Sequence, residues 1–176
     1  MESNEMIKKN KGESQLNLQS LFSLQKQLDD RIMKEHHLTG QNVVAEKMLA
    51  LQVELGELAN ETRCFKYWSV KPPAPQDVIL EEYVDGIHFI LSIGLDCGYT
   101  SVNVQMEATK TQIVTLFQQV FDDITKFNQS QSQETYKQLF QTYLQLGQAL
   151  GFSEKNIEKA YLQKNEVNHQ RQDEGY

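Results

Sequence analysis

Three observations predict an all-α protein, a helical bundle of about six helices. The 176 residues include only three prolines and nine glycines, against abundant Leu, Gln, Glu and Lys, a composition that favours helix over strand. Apolar residues recur at steps of three and four along most of the chain, the period of one helix face. Breaks containing Gly, Pro, Asn or Ser cut this pattern into pieces of helix length.

Residues 1–15 read as a flexible polar tail, and 16–176 as a single folded domain. The first helix is expected over 16–35, where Leu18, Leu21, Phe22, Leu24, Leu28 and Ile32 share helical spacing. Gln25 and Asp29 are four apart there and point the same way. After a break at 36–41, a second helix is expected over 42–67. Its stripe of Val44, Met48, Leu51, Leu55 and Leu58 is bordered by the row Glu54, Glu57 and Glu61. Pro72, Pro73 and Pro75 form a stiff connector. A third helix over 75–96 is apolar nearly all round after Glu82, as a central buried helix is. Glu82, Asp85, Phe89 and Ser92 follow one line along it. Beyond a turn at 97–100, helices are expected over 102–127, 134–150 and from Ser153 onward, the last with an N-cap signal at Ser153. On that last helix Lys164, Asn168 and Arg171 share a face.

The chemistry lies in two acidic pairs, Glu54 with Glu57 and Glu82 with Asp85. Two acids three apart lie about 60° from each other around a helix, so each pair presents two carboxylates on one face. Side by side, such helices gather four carboxylates that repel one another unless protons or hard cations sit between them. Surface ion pairs to Lys47, Lys66 or Lys71 are the bland alternative, but they contribute little and do not explain acids on a dry helix. Lys164 and Arg171 suit phosphate oxygens, or else complement the C-terminal end of the helix dipole. Trp68 is either core or the wall of a base pocket; His88 and Phe89 are read the same way, with a satisfied core histidine as the default for His88.

A formal charge of -7 gives no electrostatic footprint for nucleic acid or an anionic membrane. Cys64 and Cys97 form no metal-binding spacing and read as free thiols, which with the polar N-terminus points to the cytoplasm. The most apolar run, residues 84–95, is too short and too interrupted for a membrane span. Walker A, GxSxG and HExxH sequences are all missing.

The acidic pairs, with 58–81 between them, resemble those of the all-α nucleotide pyrophosphohydrolases. Leu24-Gln25 with Asp29, the run Phe65-Lys66-Tyr67-Trp68, Asp85 with His88-Phe89, and Lys164, Asn168 and Arg171 with Gly175-Tyr176 resemble the dimeric dUTPases within that superfamily. The resemblance spans 16–176. It implies Mg2+-dependent hydrolysis of dUTP, and possible use of dUDP, to limit uracil entry into DNA and supply dUMP, by a homodimer in a bacterium or a virus infecting one. It further implies Glu54, Glu57, Glu82 and Asp85 as metal ligands, with Glu54 also catalytic through the attacking water. Gln25, Asp29, Trp68, His88 and Phe89 would then lie at the base and sugar, with Asp29 standing where some relatives carry an amide. Lys66, Lys164, Asn168 and Arg171 would meet phosphate. A house-cleaning pyrophosphohydrolase of other base preference and a non-catalytic helical interaction protein remain as alternatives.

Overall fold

A computed structural model describes residues 16–176; the expected tail over 1–15 lies outside the described residues. Six helices follow one another: α1 (Leu18–Glu35), α2 (Val44–Thr62), α3 (Gln76–Cys97), α4 (Ile113–Ser130), α5 (Gln133–Ala149) and α6 (Glu154–Asp173). No strand occurs among the described residues. The third helix is the axis, packed against α1, α2, α5 and α6, while α4 packs on α5 and α2. Its Val84, Ile87, Ile90, Leu91 and Ile93 are fully buried, as a helix apolar on all sides requires. Buried apolar side chains from all six helices form one cluster. No helix among the described residues is long and apolar enough to cross a membrane.

Two of the expected helices have other bounds. Helix α2 stops at Thr62, well before residue 67, because Arg63 takes a left-handed conformation (φ 55°). The turn is held by the Arg63 guanidinium, which donates to Lys71 O at 3.1 Å and Ser69 Oγ at 2.6 Å. Helix α4 starts at Ile113, not 102, and continues to Ser130, past the expected end at 127. Residues 102–112 instead run as irregular chain across α5. There Gln141 takes both backbone groups of Gln105, accepting from its N–H at 3.2 Å and donating to its carbonyl at 2.8 Å. Once a side chain satisfies a backbone pair, no helix is needed to do so.

Paired tyrosines clamp α3 to α5. The Tyr83 hydroxyl donates to Tyr143 O at 3.0 Å, the Tyr143 hydroxyl donates to Tyr83 O at 2.8 Å, and the rings stack at 4.7 Å. Glycine is required beneath each ring, since a Cβ at Gly86 would lie 2.0 Å from Tyr143 Oη and one at Gly147 2.3 Å from Tyr83 Oη. This clamp fixes the turn of α3 that carries Glu82 and Asp85.

Candidate active site

Helices α1, α2, α3 and α6 surround a cavity of about 270 Å³. Gln25 and Asp29 enter it from α1, Glu54 from α2, Asp85, His88 and Phe89 from α3, and Lys164, Asn168 and Arg171 from α6. The spacing explains the convergence: residues three and four apart stack along one helix face, and each of these faces borders the core.

Oxygens of Glu54, Glu82 and Asp85 lie within 4.8 Å of one another. Lys164 partly offsets them, 2.8 Å from Asp85 Oδ2 and 3.0 Å from Glu81 Oε1. Burial, then the charges of Asp85, Glu57 and Glu82, push the Glu54 carboxyl up to about 7. Burial and the neighbouring Asp85 raise Glu82, and burial raises Asp85 despite its bond to Lys164. Burial disfavours the Lys164 charge, but its bonds to Asp85 and Glu81 outweigh that and raise its pKa. The cluster therefore carries more negative charge than its protein partners neutralise. An all-oxygen, carboxylate-rich set of this kind can hold a hard divalent cation. Glu57 is exposed and stands outside the tight group, close enough that its charge still acts on Glu54 and Glu82.

The proposed ion pairs to Lys47, Lys66 or Lys71 do not form at these acids. Lys47 instead pairs with Asp96 at 2.5 Å and faces Asp29 at 3.9 Å. Nor does one chain bring Lys66 and Trp68 to the cavity. Lys66 donates to Asn60 Oδ1 at 2.5 Å. Trp68 is 65% exposed, its ring set edge-on to Phe65 and Tyr67, so the core alternative for it is wrong. The early end of α2 is the cause, since both residues sit on a loop that leaves the helix at Arg63.

At the other end of the cavity, Asp29 accepts from Ser92 Oγ at 2.6 Å and from Gln25 Nε2 at 2.8 Å. Burial raises its carboxyl, opposed by Ser92, Lys47 and Gln25. His88 is buried; that burial, and then Lys164, lowers its pKa to about 3. As a core histidine it is satisfied only in part: its Nδ1 lies 2.8 Å from Gln25 Oε1 and the Tyr161 backbone acts on the ring, while Nε2 is buried without a hydrogen bond of good geometry. Two polar lining residues, Lys47 and Ser92, escaped the sequence-based site, as did Tyr161, which packs behind the cavity against His88 and Gln25. Each had a signal, namely a register two turns from Glu54 for Lys47, the Glu82–Asp85–Phe89 line for Ser92, and the face of Lys164, Asn168 and Arg171 for Tyr161.

Fold and cavity define a class, an all-α protein in which half-buried carboxylates and cationic side chains line one cavity. A family model described as dUTPase matches residues 17–176, and the chain belongs to the dUTPase family. Its reaction is the hydrolysis of dUTP to dUMP and diphosphate. No curated protein matches the chain at a significant level.

Proposed function

We propose that this cavity, within a single catalytic domain over residues 16–176, performs the dUTP reaction with Mg2+ as cofactor. The observation that carries the reading is the surplus of negative charge on Glu54, Glu82 and Asp85, two of which, Glu54 and Asp85, line the same cavity as Lys164, Asn168 and Arg171. Glu54, Glu82 and Asp85, with Glu57 at the rim, are the residues to hold the ion. When bound, Mg2+ supplies charge neutralisation and Lewis acidity to the triphosphate.

The chain's own groups do the rest. Lys164, Asn168 and Arg171 bind phosphate oxygens and fix the line of attack. Glu54 orients the water and takes its proton, a role that suits a carboxyl whose affinity for protons burial and like charges have raised. Gln25, Asp29, His88 and Phe89 hold the base and sugar, polar groups reading the base edge beside the Phe89 ring. Lys66 and Trp68 lie outside the cavity of their own chain; in a homodimer they would serve the site from its rim, Lys66 toward phosphate and Trp68 toward the base. We place the enzyme in the cytoplasm of a bacterium, or of one infected by the virus encoding it, where it keeps uracil out of DNA and supplies dUMP.

The test is diphosphate release from dUTP, dTTP, dCTP, dATP, dGTP and UTP, with Mg2+ and with a chelator. Turnover should be confined to dUTP and should vanish with the chelator. Turnover that persists in chelator sinks the metal assignment, and turnover spread over several bases sinks the assignment of the base pocket.

A further inference from the structure

Helix α6 is held by burial over its first part, through Ile157, Tyr161 and Asn165, and no residue after Asn165 is fully buried. The less buried stretch carries Asn168 and Arg171, both of which line the cavity. A helix end without buried side chains frays easily, and its last carbonyls lack partners along the helix. Here α1 supplies polar ties instead. Arg31 donates from Nη1 to His169 O at 3.1 Å, with His169 Nδ1 at 3.4 Å, and from Nη2 to Asp173 Oδ1 at 2.5 Å. Its Nε donates to Glu35 Oε1 at 2.8 Å, which aims the guanidinium from within α1. Close by, His36 Nε2 lies 3.0 Å from Gln172 Oε1. The Arg31 fork thus grips α6 one residue past Asn168 and two past Arg171. Its own charge is matched by Glu35 and Asp173, so it is committed to protein partners. Leu28, Ile32 and Met33 of α1 line the same cavity, and the fork therefore ties two of its walls together.

We infer that Arg31 is a positioning residue for the phosphate end of the site: its planar fork fixes the last turns of α6 and so sets Asn168 and Arg171 for the triphosphate chain of the substrate. A lysine would supply the charge without the fork, since one ammonium cannot meet a carbonyl and two carboxylates in a plane. An exposed ion pair such as the one with Asp173 contributes little to global stability. At a helix end that opens locally, a small tie decides which arrangement prevails. The inference rests on the proposed assignment of Asn168 and Arg171 to phosphate.

The test compares Arg31→Met, Arg31→Lys, Asp173→Asn and the double variant Arg31→Met/Asp173→Asn in dUTP turnover, with inorganic diphosphate and deoxyuridine as separate inhibitors. In Arg31→Met, KM for dUTP should rise roughly three- to tenfold, inhibition by diphosphate should weaken by a similar factor, and inhibition by deoxyuridine should stay as in the wild type. Arg31→Lys should follow Arg31→Met, because charge without the fork does not hold the turn. Asp173→Asn should weaken diphosphate in the same direction, and the double variant should be no worse than Arg31→Met alone. The milder Asp173→Asn carries the test if Arg31→Met folds poorly. Unchanged diphosphate inhibition in folded Arg31→Met overturns the inference, and so does an equal loss for deoxyuridine, which would mean a general loosening. If Asp173→Asn binds diphosphate as the wild type does while Arg31→Met does not, Arg31 is a phosphate ligand in its own right and the inference again fails. Arg171→Met separates the two levels: if it leaves diphosphate inhibition unchanged, the phosphate assignment fails and takes the inference with it.

Discussion

Helix α3 carries two polar regions on one and the same turn, Tyr83 and Gly86 beside Glu82 and Asp85, and they are built in opposite ways. At the Tyr83–Tyr143 clamp each hydroxyl has an acceptor and each ring a flat partner, with glycines cut to fit beneath. At the Glu54, Glu82 and Asp85 cluster, like charges are crowded together and one lysine offsets them only in part. A buried polar group that is fully paired serves the fold, while one left short of partners raises the energy of the empty protein and lowers it when a ligand arrives. The difference teaches that the clamp is the foundation and the cluster the working surface, both set by one stretch of α3.

The sharpest way to break the comparison is to remove charge from the working surface. Glu54→Gln should cut dUTP turnover about a hundredfold or more while the circular dichroism spectrum stays that of the wild type. On the foundation the effect should be reversed in kind. Gly86→Ala puts a Cβ against Tyr143 Oη, which the stacked ring cannot easily move aside, and should lower stability by about 3 kcal/mol in denaturant titration. Tyr143→Phe, which keeps the stack and loses one bond, should cost only about 1 kcal/mol.

The smallest expected effect is a dependence on pH. A carboxyl with a folded-state pKa raised to about 7 binds its proton more tightly in the folded chain than in the unfolded one. Its favourable contribution is thus complete below the unfolded value and lost as pH rises through the folded one. His88, lowered to about 3, works in the other direction, its contribution being lost as pH falls below the ordinary histidine value. Because the two overlap, the clean readout is the difference between variants. Without metal, Glu54→Gln should melt above the wild type at pH 8, and that advantage should shrink as pH is lowered through 7.

The sequence made the helices and their facing carboxylates legible because both depend on spacing, and spacing survives folding. Glu54, Asp85, Lys164, Asn168 and Arg171 reach one cavity since each occupies a helix face that borders the core. What failed depends on local geometry that no period records. Arg63 stops α2 in a left-handed turn, a conformation unusual for a residue with a Cβ, and so carries Lys66 and Trp68 away from the cavity. The start of α4 was misplaced because Gln141, far along the chain, occupies the backbone of Gln105. Tyr161 was visible in the pattern, three residues before Lys164, yet its meaning needed a partner on α1 that only the packed structure provides.

The most direct test of the account is the melting temperature of the wild-type protein and of Glu54→Gln, each with and without Mg2+ and a non-hydrolysable dUTP analogue. The account predicts a clear rise for the wild type on adding both ligands and a much smaller one for the variant, because the cation would be missing a ligand. An equal rise in the two proteins would contradict it and return the carboxylates to a solvated face.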